Sequence, residues 1–159
     1  LMSVRPRAKG IFTKDKKMHH HFMLATVTGL APSMSVVRQY LHDGGHEGSE
    51  EKQVFYIMYG ASYIDELTYD VELQELAEKH PDVVKFVPTI SRSTESRNDG
   101  WTGVTGRVNT IAEEYLEKFG LPKDDTKVYA CGHPGMIEDM KEKLPPQGWN
   151  FIEERFWKP

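Results

Sequence analysis

The chain has 159 residues, 38% hydrophobic and 28% charged, with a net charge of -4 and one cysteine. This length fits one globular domain with a substantial core, and the acidic balance argues against a general nucleic-acid binder. No apolar run approaches the ~20 residues of a membrane span and no signal peptide is visible. A single cysteine cannot form an internal disulfide, so a cytoplasmic setting is the expectation.

In chain order, a basic stretch at 5–10 precedes an apolar strand at 21–26 that runs into Gly29. Pro32 and Ser33 signal a helix start, and Met34, Val37 and Leu41 recur at helical spacing before a polar loop at 42–52. A second strand is predicted at 54–59, stopped by Gly60. Leu67, Val71, Leu73, Leu76 and Ala77 form a helical stripe that ends near His80 and Pro81. A third strand follows at 83–90, and then residues 91–106, rich in Ser, Thr, Gly, Asp and Asn, read as a long loop of the kind that carries function.

Val108, Ile111, Ala112, Tyr115, Leu116 and Phe119 make a third amphipathic helix, closed by Gly120 and Pro122. The fourth strand, 127–130, is broken by Gly132, Pro134 and Gly135 before a helix at 136–144, and a last strand is predicted at 150–156. Strands and helices alternate five strands deep without a repeat. The predicted fold is α/β, a doubly wound five-stranded parallel sheet with helices on both faces.

Cys131 falls just beyond the fourth strand, where ligands bind in open α/β sheets, although a lone cysteine is more simply a small buried hydrophobe. His19, His20 and His21 are adjacent, so at most His19 and His21 share a strand face, and a polar strand entry is the simpler reading than a metal site. Tyr56, Tyr59, Tyr63 and Tyr69 read mainly as packing.

Four segments in order carry a resemblance: Ala-Thr-Val-Thr-Gly-Leu-Ala-Pro at 25–32, Gly-Ala-Ser at 60–62, Val-Pro-Thr-Ile-Ser-Arg at 87–92 and Cys-Gly-His-Pro-Gly-Met-Ile at 131–137. With the tail Glu154-Arg155-Phe156-Trp157, they are similar to the ferredoxin-NADP(+) reductase family over residues 6–157, but only to its C-terminal, NADP-binding half. The resemblance implies a dinucleotide-binding fold whose pyrophosphate rests on the turn carrying Thr26, Thr28 and Gly29. Val27 stands where the family commonly has glycine.

It further implies that Ser91, Arg92 and Arg107 hold the 2'-phosphate, favouring NADP over NAD, with Arg97 a weaker third basic candidate. A hydroxyl and guanidinium forks suit that group. Cys131, with Gly132 and Met136, is expected beside the nicotinamide, holding the ring rather than acting as a nucleophile. Glu154 is the expected partner in nicotinamide positioning and proton supply. Phe156, where relatives usually carry tyrosine, and Trp157 are expected to cover the flavin.

The family's FAD-binding barrel and its Arg-x-Tyr-Ser/Thr motif have no counterpart here. Residues 1–14 are therefore expected to be the end of that barrel or a linker, and 15–159 the NADP(H)-binding domain. The implied activity is a flavin-dependent reductase passing electrons between NADP(H), FAD and ferredoxin or flavodoxin. A related reductase with another acceptor, and a stand-alone nucleotide-binding domain without catalysis, remain open.

Overall fold

The computed structural model describes residues 18–44 and 52–154, apart from the Thr28 side chain. The expected ends, residues 1–14 with Phe156 and Trp157, lie outside the described residues.

Among the described residues, six parallel strands form one sheet in the order β4-β3-β2-β1-β5-β6. They are β1 (His20–Thr26), β2 (Val54–Ala61), β3 (Val84–Ile90), β4 (Val104–Thr105), β5 (Thr126–Cys131) and β6 (Asn150–Glu154). Four helices connect them: α1 (Leu30–His42), α2 (Asp70–Lys79), α3 (Val108–Lys118) and α4 (Pro134–Lys143). Among these, no helix is long and apolar enough to cross a membrane.

β1 is central and apolar on both faces, as a parallel strand covered from both sides must be. Its residues alternate between two cores. Met23 and Ala25 join Ile57, Tyr59 and Tyr129 beneath α1 and α2, while Phe22 and Leu24 join Met58, Val128 and Ala130 beneath α3 and α4. β1 pairs with β2 on one side and with β5 on the other. The chain thus winds outward in one direction and then returns to the opposite side, which opens a crevice at the carboxyl ends of β1 and β5.

The sixth strand corrects the expected five. β4 has only two residues, paired with Thr89 and Ile90 of β3, inside the segment read as a loop. A 3-10 turn at Ser96–Asn98 orders the same segment, and the Trp101 indole donates to the Val104 carbonyl at 2.9 Å. Gly60 does not stop β2, which continues through Ala61 by pairing with Thr89 and Ile90 of β3, and Val108 of α3 packs where a Cβ at position 60 would project. α1 starts at Leu30, before Pro32, since the first helical turn needs no amide from that proline. Leu67 precedes α2 and Val71 is exposed, so the stripe there is narrower than expected.

The three histidines enter β1 with protein partners. His19 Nδ1 lies 2.8 Å from Asp125 Oδ1, and His20 Nδ1 lies 3.1 Å from the Tyr56 hydroxyl. His21 is fully buried, stacked on Phe55, with its two ring nitrogens at 2.8 Å from the Tyr129 hydroxyl and 3.1 Å from Gln53 Oε1.

Candidate functional site

A cavity of about 670 Å³ opens at the carboxyl end of the sheet, bounded by the turns after β1, β2, β3, β4 and β5. On the first turn, Thr26 leaves β1 extended and Val27 then takes φ +31°. The Tyr59 hydroxyl donates to the Val27 carbonyl at 3.1 Å and holds it there, so Tyr59 does more than pack. Gly29 is the N-cap of α1 and supplies no side-chain cap. A Cβ on Gly29 would overlap the Cys131 carbonyl, so its small size is needed where the β1 and β5 turns meet.

The β5 turn is built against the same residues. Gly132 has φ +133°, and a Cβ there would overlap Thr26 Oγ1. The His133 amide donates to that hydroxyl at 2.6 Å. His133 then caps α4, its Nδ1 accepting from the Gly135 amide at 3.0 Å, with Pro134 at the first helical position.

The third wall comes from the loops after β3 and β4. The Ser91 amide donates to Ala61 O at 3.0 Å, and Thr89 Oγ1 donates to Gly106 O at 2.8 Å, just before the Arg107 N-cap of α3. Asn98, nearly fully buried, ties this wall together. Its Nδ2 donates to Ser62 O and Arg92 O, each at 2.9 Å, and its Oδ1 accepts from the Ile64 amide at 2.8 Å.

The cavity favours an anion. Arg92 and Arg107 line it together with the starts of α3 and α4 and the turn leading into α1, and no carboxylate is among the described residues that bound it. Helix N-termini carry partial positive charge, which adds to the guanidinium charge.

Thr26, Ser91, Arg92, Arg107, Gly132 and Met136 all bound this cavity, as six of the residues singled out in the sequence. Gly29 stands behind its wall, and the Thr28 side chain, Phe156 and Trp157 are outside the described residues. Cys131 corrects an expectation: it is the last residue of β5, not one beyond it, and is fully buried while Gly132 takes the rim. Glu154 is its register partner on β6 and is 9% exposed. One Glu154 carboxylate oxygen is buried without a hydrogen-bond partner among the described residues. Burial, with Glu154 beside it, pushes the Cys131 thiol up to about 12, so the neutral thiol persists and a thiolate nucleophile is disfavoured.

Asn98 and His133 were not singled out from the sequence. The His-Pro pair before a helix is a readable cap signal for His133; Asn98 joins Arg92 in its own loop to Ser62 and Ile64, more than thirty positions away, and that long-range part leaves no local signal. Arg97 is already engaged, donating to both oxygens of Asp65 at 3.0 and 2.6 Å, with its guanidinium 3.9 Å from the Tyr63 ring centroid.

The sequence profile described as "Oxidoreductase NAD-binding domain" matches residues 23–142, more than half of the chain. The chain belongs to that family. It is a nucleotide-binding domain of the ferredoxin-NADP(+) reductase type of oxidoreductase. A ferredoxin–NADP reductase of Picosynechococcus sp. is 29% identical over 154 residues, covering 94% of this chain and 38% of that protein. NADH-cytochrome b5 reductase 1 of Mycosarcoma maydis is 36% identical over 132 residues, covering 82% and 37%.

Among solved structures, a ferredoxin NADP+ reductase from Neisseria gonorrhoeae with bound FAD and NADP matches with a TM-score of 0.69 at 19% identity, over 89% of this chain and 57% of that one. That likeness supports the fold. The domain spans less than half the length of the curated relatives it matches.

Proposed function

We propose that this domain binds NADP(H) and positions its nicotinamide for hydride exchange with FAD held by a companion domain, in a reductase whose electron partner is ferredoxin or flavodoxin. The observation that carries the reading is the cavity at the switch point of the sheet, lined by Arg92, Arg107 and helix starts, with no carboxylate among the described residues that bound it. Its volume is of the size that holds a small-molecule cofactor.

Ser91, Arg92 and Arg107 would hold the 2'-phosphate, and the turn from Thr26 to Gly29 the pyrophosphate. Gly132 and Met136 would border the nicotinamide end, with Cys131 and Glu154 directly behind the Gly132 turn. The nicotinamide supplies or accepts the hydride; the domain's contribution is to fix its orientation and distance. Cys131 serves as packing behind the ring, and the buried Glu154 carboxylate is the group available to take or return a proton.

Calorimetric titration with NADP+ and NAD+ tests the reading. Binding of NADP+ in preference to NAD+ is expected, whereas binding of neither, or a clear preference for NAD+, overturns it. A second reading, a related reductase with another acceptor, draws on the 36% identity to an NADH-cytochrome b5 reductase. Reconstitution with the flavin domain and reduction assays against each acceptor separate the two.

A further inference from the structure

We infer that Glu95 sets the nucleotide preference of this site by competing with the 2'-phosphate for Arg92, an inference that rests on the NADP(H) reading and deepens it. Arg92 Nη1 donates to Glu95 Oε1 at 3.2 Å and to the Tyr63 hydroxyl at 3.3 Å. The Tyr63 hydroxyl in turn donates to the other Glu95 oxygen, Oε2, at 2.7 Å. Arg92, Tyr63 and Glu95 therefore form a closed triangle at the mouth of the cavity.

The triangle has a direct electrostatic meaning. Arg92 lines the cavity and Glu95 does not, so the carboxylate neutralises the guanidinium from outside the wall. Arg97 is likewise matched by Asp65, which leaves Arg107 as the cavity arginine with no ion-pair partner among the described residues. A 2'-phosphate carries close to two charges and gains most from two unmatched cations; a free 2'-hydroxyl gains little. Both partners of the Arg92–Glu95 pair are about half exposed, so it is weak enough for a phosphate to displace. The domain then binds the phosphorylated nucleotide below the affinity its arginines could support and retains use of the unphosphorylated one.

Glu95→Gln removes the charge and keeps an acceptor for Tyr63. Dissociation constants for NADP+ and NAD+, and for 2'-phospho-AMP and AMP, are to be measured on wild type and variant at low ionic strength. The ratio of phosphorylated to unphosphorylated affinity should rise about 2- to 5-fold in Glu95→Gln, the range expected for an exposed ion pair facing a new anion. The rise should disappear when Arg92→Gln is added, closing a double-mutant cycle. Glu95→Ala should repeat the rise, and thermal melts check that each variant is folded. If wild type binds these nucleotides and the ratio does not move, or moves equally without Arg92, the Glu95 assignment falls while the nucleotide site stands. If wild type binds none of them, both readings fall together.

Discussion

Val27 holds φ at +31° on the cavity rim, a conformation that β-branched residues rarely adopt and that costs on the order of 1–3 kcal/mol. Its side chain is 41% exposed, so little packing offsets that strain. Val27→Gly should raise the unfolding free energy by about 1 kcal/mol, after allowing for glycine's greater freedom in the unfolded chain. Urea denaturation reads this as a higher midpoint at constant slope; an unchanged or lower midpoint would show the turn to be unstrained.

Cys131 makes a second residue-scale prediction, with a definite sign. Its thiol is raised from 9.0 to about 12 in the folded state, first by burial and then by Glu154. At a pH between those values the unfolded chain has lost the proton that the folded chain keeps, so stability declines as pH rises through that window. Below it the group makes no difference. Chemical denaturation at pH 8 and pH 10.5 should show a steeper fall for wild type than for Cys131→Ala, and parallel curves would count against it. The chemistry of Cys131 was thus half legible: its place at the end of an apolar run marked the right turn, while its complete burial depends on Glu154 and Gly29 arriving from distant segments.

Between elements, Asn98 is the fastening that makes a wall from two loops. Asn98→Asp sets a carboxylate against the carbonyls of Ser62 and Arg92, removing two donated bonds and leaving two part-buried acceptors facing a negative charge. A loss of about 1–3 kcal/mol is expected, with faster amide hydrogen exchange across residues 92–98. A melt within a degree of wild type would mean that the clamp is idle. Elements of this kind are hidden from periodicity. β4 is two residues long, too short to alternate, and its existence depends on β3 alongside it and on the Trp101 indole. The start of α2 is equally obscured, because Tyr69 precedes it at φ +62° and Val71 faces solvent at 66% exposure.

Over the whole molecule, the five longer strands were readable because a parallel sheet covered on both faces turns each strand into an apolar run. Strand order is different in kind. No pattern within residues 20–26 says that β1 lies between β2 and β5, yet that placement creates the crevice. The same holds for charge: a net -4 chain gathers Arg92 and Arg107 around a cavity with no carboxylate among its described lining residues, and only the fold brings together residues from five separate turns. Arg92 and Arg107 were marked by resemblance, whereas the acidic counterweight at Glu95 was not, since three residues of separation in a loop do not predict an ion pair.

Thr26, Gly29 and Gly132 meet where the β1 and β5 turns touch, through the Thr26 hydroxyl and two positions with no room for a Cβ. For the history of the protein this makes three separated positions a single character. A side chain gained at Gly29 or Gly132, or a hydroxyl lost at Thr26, is tolerable only with a compensating change on the opposite turn, so homologues should keep the three together or replace them as a set.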